Sequence, residues 1–182
     1  MKKLIKMPEM LILVDKNDRQ IGTEEKMKTH EQGKLHRAFS IFIFNSKGEM
    51  LLQKRAKSKY HSGGLWTNAC CSHPRVGEKL EDAVHRRLRE EMGFDCELKK
   101  ESSFIYNVKL DHGLTEHEFD YIFTGKFDWE VKPNPEEADG FKWIKIEELK
   151  KDIEARPENY TEWFKIAFRK FKADFMKFLQ RP

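Results

Sequence analysis

Apolar and polar positions change their period several times along the chain, and each period predicts a type of element. Short apolar runs that are bounded by turn residues predict β-strands. Ser46, Lys47 and Gly48 separate two of these runs and predict a hairpin turn between them. The six predicted strands are residues 10–14, 38–45, 50–54, 104–110, 116–123 and 141–146.

Three other segments have apolar residues three or four positions apart, which is typical of amphipathic helices. They are residues 81–92, 146–154 and 161–179, and Gly93 is expected to end the first of them. Strands mixed with helices, with the longest helix last, predict a layered domain of the α/β (α+β) class. No repeat, low-complexity tract or Pro/Gly-rich linker divides the sequence, so we expect residues 1–182 to form a single domain.

The composition narrows the class of protein. Hydrophobic residues at 38% and charged residues at 36% are typical of a soluble globular protein. With 35 basic and 31 acidic residues, the net charge of +4 is compatible with an anionic ligand and gives no case for nucleic acid. The three cysteines exclude a disulfide scaffold, and the apolar run at residues 10–14 is too short for a signal peptide or a membrane span. We therefore expect a cytoplasmic protein without stable membrane insertion.

The segment from Ser72 to Phe94 has charged residues at a fixed spacing around the helix predicted at 81–92. A run of helical charges is usually only a solvated face. Here the segment resembles the box of the Nudix family, and the matching positions are Glu78, Arg86, Leu88, Glu90, Glu91, Gly93 and Phe94. The resemblance implies that the carboxylates gather on one side of a loop and helix, where they would hold a divalent cation against a diphosphate.

Two positions depart from the Nudix box. Ser72 replaces its leading glycine, and Arg87 replaces a glutamate that in Nudix hydrolases belongs to the metal-binding set that activates water. An arginine cannot bind a cation, but it can bind phosphate oxygens in a two-pronged contact. The substitution therefore points away from pyrophosphate hydrolysis and towards a diphosphate that is bound and left intact.

Further segments resemble the type 1 isopentenyl-diphosphate delta-isomerases, a family of Nudix-fold enzymes. They extend from about residue 22 to residue 163, and they read GTEEKMKTH, LHRAFSIFIFN, KRAKSK, GLWTNACCSHP, RRLREEMG and TEHEFDYIF. The resemblance implies a Nudix-type mixed β-sheet sandwiched between helices. It also implies that the chain interconverts isopentenyl diphosphate and dimethylallyl diphosphate in isoprenoid biosynthesis, by protonation and deprotonation through a tertiary carbocation.

The resemblance assigns the proton chemistry to a few residues. It implies that Cys71 and Glu118 are the two catalytic acid/base groups and that Tyr106 assists proton transfer. Cys70 stands at a variable position of the family motif and is expected to be a packing residue. Trp163 matches the aromatic residue whose face stabilises the carbocation.

The resemblance also implies two metal sites. The first is a site for Mn²⁺, Zn²⁺ or Mg²⁺, and the second is a Mg²⁺ that Glu91 holds against the diphosphate. Two of the ligands, Glu116 and Glu118, are two residues apart in a predicted strand and so share one face. The interval between His30 and His36 is one residue shorter than the family spacing. The implied ligands of the first site are His30, His36, His73, Glu116 and Glu118.

Four basic residues match family positions that bind the diphosphate: Lys26, Arg55, Lys59 and Arg87. The C-terminal segment at residues 158–180 is expected to form a helix that covers the active site and excludes water. A basic amphipathic helix can instead bind a membrane surface, but packing over the sheet is the favoured interpretation. We expect a monomer whose partner is a small diphosphate. The remaining histidines, His61, His85, His112 and His117, belong to no motif and are expected to be structural.

Two other functions remain open at this point. The first is a Nudix pyrophosphohydrolase that acts on a nucleotide, which Arg87 and the pair of Cys71 and Glu118 oppose because hydrolysis needs neither. The second is a zinc-stabilised binding module that uses the basic C-terminal helix. The cysteines lack CxxC spacing, and carboxylates are poor ligands for structural zinc, so this function is the less favoured.

Overall fold

The computed structural model describes residues 8–180 and forms nine strands and four α-helices within them. The strands are Met10–Val14 (β1), Gln20–Glu25 (β2), His36–Phe44 (β3), Glu49–Arg55 (β4), Trp66–Asn68 (β5), Cys70–Ser72 (β6), Leu98–Lys109 (β7), Thr115–Lys126 (β8) and Ala138–Lys145 (β9). The helices are Lys26–Gln32 (α1), Leu80–Met92 (α2), Ile146–Ala155 (α3) and Glu162–Leu179 (α4). Of the domain expected over residues 1–182, residues 1–7 and 181–182 lie outside the described part.

All six predicted strands and all three predicted helices are confirmed, with shifts at their ends. The largest shift is in β7, which begins six residues before the predicted start at residue 104. Four elements were not predicted, namely β2, α1, β5 and β6. Of these, β5 and β6 have three residues each and α1 has seven mostly polar ones, so no period can be recognised in them.

A single mixed sheet contains the nine strands, and β3 lies near its centre. Strand β3 pairs with β8 in parallel and with β1, β4 and β6 in antiparallel orientation. Strand β7 pairs with the other edge of β8, and β9 and β5 pair with β4. Because β3 is enclosed on both edges and both faces, eight of its nine residues are buried.

Helices cover both faces of the sheet, which confirms the expected α+β sandwich. Alternate residues of β3 enter two separate cores. Phe39, Ile41 and Ile43 pack with α2 on one face. Phe42 and Phe44 pack with α3 and α4 on the other face. Among the helices of residues 8–180, none combines the length and the apolar content that crossing a bilayer requires.

Helix α2 ends at Gly93, as the sequence predicts. Gly93 has a φ of 76°, and its N–H bonds to the carbonyl of Arg89 at 3.1 Å. The carbonyl of Lys132 lies so close that a Cβ atom at this position would collide with it. A side chain would therefore be strained here both by the backbone conformation and by the contact.

Candidate active site

A pocket opens between strands β4, β6, β7 and β8, helix α2 and the head of α4. It contains about 550 Å³ of space outside protein atoms, part of it open to solvent. The predicted site residues line it except for His30 and His36, which are fully buried. The lining residues are Lys26, Arg55, Lys59, Tyr60, His61, Cys71, Ser72, His73, Arg87, Glu91, Tyr106, Glu116, Glu118, Glu137 and Trp163.

Strand register brings the acidic residues and His36 together. The parallel pairing of β3 with β8 sets His36 opposite Glu118. The antiparallel pairing of β7 with β8 sets Tyr106 opposite the same residue. Glu116 lies two positions earlier on the same face of β8, and the residue between them, His117, faces away from the core.

His30 reaches the same place from the unpredicted helix α1. Gly33 ends that helix with a φ of 60°, and only Lys34 and Leu35 then separate it from the start of β3. This tight left-handed turn accommodates the shorter interval between His30 and His36. The two imidazole rings lie 5.0 Å apart, centroid to centroid.

The buried imidazoles and carboxylates form a compact cluster. Candidate ligand atoms of His30, His36, His73 and Glu116 all lie within 4.8 Å of one another. Nε2 of His30 is 3.1 Å from Oε2 of Glu116, and Nε2 of His36 is 3.8 Å from the same oxygen. Glu118 adjoins the group, because its Oε1 is 3.1 Å from Nε2 of His73 and 3.6 Å from Nε2 of His36.

Hydrogen bonds at the far side of two rings set their tautomers. Nδ1 of His30 lies 2.7 Å from the carbonyl of Lys26, and Nδ1 of His36 lies 2.9 Å from that of Lys34. A carbonyl only accepts, so each Nδ1 carries the proton and each Nε2 presents a lone pair to the cluster. These Nε2 atoms and Oε2 of Glu116 are buried without a hydrogen-bond partner in residues 8–180. Orphaned ligand atoms of this kind fit a divalent cation.

The pKa shifts of the histidines in the cluster also support the binding of a cation. Burial, reinforced by the neighbouring His36, lowers the pKa of His73 well below its usual value, so its imidazole is neutral and able to bind a metal. Burial also acts to lower the pKa of His30, but Glu116 outweighs it and raises that pKa. The carboxylates therefore stabilise positive charge at the centre of the cluster.

Cys71 and Cys70 face opposite sides of the sheet. In β6, Cys71 pairs with Ser40 and borders the pocket, whereas Cys70 pairs with Ile41 and is buried in the core beneath α2. Sγ of Cys71 donates to Oδ1 of Asn68 at 2.9 Å and lies 3.1 Å from Oγ of Ser40. Burial and the nearby Asp120 raise the pKa of Cys71, so the sulfur carries its proton at neutral pH.

Glu118 is in the opposite protonation state. The hydroxyl of Tyr106 donates to its Oε2 at 2.6 Å. Burial would raise the pKa of Glu118, but the neighbouring His36 and the hydrogen bond from Tyr106 hold it below its usual range. The pocket thus presents the protonated thiol of Cys71 and the ionised carboxylate of Glu118.

The predicted diphosphate-binding residues lie together at the mouth of the pocket, and each has a protein partner. Lys26 pairs with Glu9 at 3.0 Å, and Lys59 pairs with Glu137. Nη2 of Arg55 donates to the carbonyl of His61 at 3.2 Å, and its guanidinium lies 5.1 Å from the ring centre of Trp163. Arg87 donates to three carboxylates, those of Glu90, Glu91 and Glu137, at 2.7, 2.6 and 3.3 Å.

Contacts with β5 fix the start of α4 and therefore the position of Trp163. Thr161 donates its N–H to the carbonyl of Trp66 at 3.0 Å, and its hydroxyl bonds to that of Thr67. Trp163 follows within the first turn of α4, where it is 5% exposed and borders the pocket.

The sequence reasoning missed several residues of the site. His61, expected to be structural, has its Nε2 3.5 Å from Oε1 of Glu116 and its ring edge-on to Trp163 at 5.5 Å. Glu137 lines the pocket as well. Neither belongs to a periodic pattern, so the sequence offers no signal for them. Ser40 did offer one, because it is a polar residue within the apolar run of β3, and its hydroxyl donates to Asp120 at 2.8 Å.

Comparisons with known proteins identify the family of the chain. The family model of the NUDIX domain matches residues 34–164. A Photorhabdus laumondii protein named Isopentenyl-diphosphate Delta-isomerase 2 is 57% identical over 87% of this chain and 90% of its own length. The Isopentenyl-diphosphate Delta-isomerase of Serratia proteamaculans is 52% identical over 94% of this chain and 96% of its own.

Solved structures show the same fold at low sequence identity. A Deinococcus radiodurans protein has a TM-score of 0.68 at 24% identity, covering 81% of this chain and 90% of its own. The MutT protein of Methanosarcina mazei has a TM-score of 0.63 at 21% identity, covering 77% of this chain and 94% of its own.

Proposed function

This chain belongs to the isopentenyl-diphosphate delta-isomerase family of the Nudix superfamily, and we propose from that premise how its pocket works. The reaction interconverts isopentenyl diphosphate and dimethylallyl diphosphate. A proton must be added to the terminal alkene carbon and another removed from C2, with a tertiary carbocation between the two steps. The observation that carries the proposal is the pairing of a protonated Cys71 with an ionised Glu118 in one pocket.

In the direction of dimethylallyl diphosphate, Cys71 is the proton donor. Its thiol hydrogen goes to the terminal carbon and leaves a thiolate, and the alkene electrons form the new C–H bond. Glu118 then accepts the proton of C2, and the C–H electrons form the new double bond. Tyr106 orients the carboxylate through its 2.6 Å hydrogen bond to Oε2. The reverse reaction exchanges the two roles.

Trp163 is proposed to stabilise the carbocation with its aromatic face. An indole attracts a cation by about 2 kcal/mol or more where water is excluded. The guanidinium of Arg55 lies 5.1 Å from the ring centre, and this cation–π contact supports a role of the ring in binding positive charge. We propose that α4, the main part of the expected covering helix at residues 158–180, closes the pocket here and keeps out water that would quench the cation.

His30, His36, His73, Glu116 and Glu118 are the residues that would hold a divalent cation, and their orphaned, buried ligand atoms support this. Mn²⁺, Zn²⁺ and Mg²⁺ all suit a set of three imidazoles and two carboxylates. Such a cation supplies positive charge that lowers the proton affinity of Glu118. Glu91 is proposed to hold a second ion, Mg²⁺, together with the diphosphate. Its oxygens accept from Arg87 and Gln53, and these two contacts orient the carboxylate.

Lys26, Arg55, Lys59 and Arg87 are proposed to bind the diphosphate. All four line one pocket, and they come from three separate segments of the chain. We further propose that residues 1–182 form one domain that acts as a monomer in the cytoplasm. One chain supplies every reacting group, and its three cysteines are unpaired, which suits a reducing compartment.

The test is incubation of the purified protein with isopentenyl diphosphate and Mg²⁺, followed by product analysis. We expect dimethylallyl diphosphate to accumulate until equilibrium is reached, with no release of phosphate or pyrophosphate. Hydrolysis of the diphosphate without isomerisation would contradict the proposal and favour a pyrophosphohydrolase.

A further inference from the structure

Glu137 lies among the cations at the mouth of the pocket and has no part in the chemistry described above. Its carboxylate contacts two residues proposed to bind the diphosphate. One oxygen pairs with Nζ of Lys59, and the other accepts from Nη2 of Arg87 at 3.3 Å. The side chain is 19% exposed and lines the pocket, so it is within reach of a ligand.

The backbone fixes Glu137 in this position. Its carbonyl accepts from the N–H of Ala56 at 3.0 Å, directly after the end of β4. Its own N–H donates to the carbonyl of Asn134 at 2.9 Å, in the turn that precedes β9. The carboxylate therefore faces the loop that carries Lys59 as a result of the strand pairing of β4 with β9.

Glu137 is charged at neutral pH. Burial would raise its pKa, but Lys59 and Arg87 outweigh that effect and hold it below the usual range for a glutamate. A diphosphate that binds Lys59 and Arg87 must approach the same nitrogen atoms that this carboxylate occupies. Two anions cannot both keep these contacts without strong repulsion.

We propose that Glu137 is a displaceable internal anion, which occupies Lys59 and Arg87 in the free protein and releases them to the diphosphate. The proposal rests on the assignment of these two cations to diphosphate binding in the proposed function. In the free protein the carboxylate offsets part of the repulsion between a neighbouring ammonium and guanidinium. The carboxylate of Glu137 also selects for highly charged ligands. A ligand must displace this carboxylate from Lys59 and Arg87 in order to bind, and an anion of low charge competes poorly.

Arg87 does not depend on Glu137 for its position. This independence determines whether removal of the Glu137 charge should raise or lower the affinity for an anion. Glu90 and Glu91 also accept from Arg87, at 2.7 and 2.6 Å. Removing the charge of Glu137 therefore leaves the guanidinium in place and removes a competitor. Affinity for an anion should rise rather than fall.

Calorimetric titration with inorganic pyrophosphate, in buffer free of divalent cations, tests the proposal. Glu137→Gln should bind pyrophosphate about tenfold more tightly than the wild type, since one repelling charge within hydrogen-bond reach is removed. Glu136→Gln is the matched control, because it removes the same charge from the neighbouring, exposed residue, and it should stay within about twofold of the wild type. Unchanged or weaker binding by Glu137→Gln would overturn the proposal.

Glu137→Ala is a second variant, in case the amide makes new contacts with Lys59 or Arg87. It should show the same direction of change, and thermal unfolding verifies that each variant is folded. Because pyrophosphate has no alkene, the result is separate from the isomerase assay. Isomerisation by the wild type with unchanged pyrophosphate binding by both variants would refute only the role of Glu137. Tighter binding by the variants with no isomerisation would refute only the proposed function.

Discussion

At the scale of single residues, the two adjacent cysteines separate packing from chemistry. Successive side chains of a strand point to opposite faces, so β6 turns Cys70 into the core under α2 and Cys71 towards the pocket. The two thiols differ by one position along the chain and are chemically identical. Only the direction of its side chain makes Cys71, and not Cys70, available to a ligand in the pocket.

Substitution of each cysteine should therefore have a very different effect. Cys71→Ala removes the proposed proton donor and should abolish nearly all isomerisation while the metal content stays the same. Cys70→Ala trims a buried packing side chain and should leave turnover within a few-fold of the wild type. Steady-state kinetics and metal analysis of both variants would measure this. An inactive Cys70→Ala beside an active Cys71→Ala would mean that the assignment is wrong by one residue.

Ser40 is expected to matter for stability as well as for the position of Cys71. Its hydroxyl donates to the buried Asp120 at 2.8 Å and lies 3.1 Å from Sγ of Cys71. Ser40→Ala leaves the carboxyl of Asp120 without this donor, which should lower the free energy of unfolding by about 1–3 kcal/mol. Denaturant unfolding would measure the change. Ser58→Ala, at an exposed position, should stay within about 0.5 kcal/mol of the wild type, and an equal loss in both variants would contradict the prediction.

At the scale of elements, long periodic segments were predictable and short ones were not. Helices α2 and α4 each bury a full apolar stripe, and β3 is apolar from residue 38 to residue 44 except at Ser40, so their patterns are strong. Helix α1 and strands β5 and β6 are too short for a period to be recognised. The family resemblance nevertheless indicated site residues within these short elements, among them His30 in α1 and Cys71 in β6.

Helix α2 carries one of the two departures from the Nudix box, Arg87, which can be tested directly. Arg87→Glu restores the residue type of the hydrolases but places a carboxylate beside Glu90, Glu91 and Glu137. We expect weaker pyrophosphate binding and loss of isomerisation, because the new charge repels both the ligand and its neighbours.

Arg89→Glu is the matched control on the same helix. Arg89 is more than half exposed and pairs with Asp95, away from the pocket. This variant should keep pyrophosphate affinity and turnover close to those of the wild type. Wild-type isomerase kinetics in Arg87→Glu would demonstrate that the departure from the box has no functional meaning.

At the scale of the whole molecule, the site depends on contacts between residues far apart in the sequence. The proposed metal ligands come from α1, β3, β8 and the turn after β6, and Trp163 comes from the head of α4. Sequence motifs indicated most of this set through family resemblance. The sequence did not indicate Glu137 and His61, because their positions in the pocket depend on how distant segments pack and leave no pattern in the chain.

The buried cluster should make folding depend on a divalent cation. We expect close to one tightly held equivalent per chain, and chelation should lower the unfolding temperature by several degrees, since a ligand that binds only the folded state stabilises it. His73→Ala should lose the metal, whereas His85→Ala, outside the pocket, should keep it. Elemental analysis and calorimetry would measure both effects, and full metal retention by His73→Ala would contradict the assigned site.

The most direct measurement is the reaction of isopentenyl diphosphate in heavy water, followed by NMR of the product. The thiol of Cys71 exchanges with solvent, so its proton is replaced by deuterium before transfer. The wild type should place deuterium in the new methyl group of dimethylallyl diphosphate, and Cys71→Ala should form almost none of this product. Product without deuterium in that methyl group, or undiminished labelling by Cys71→Ala, would contradict proton donation by Cys71.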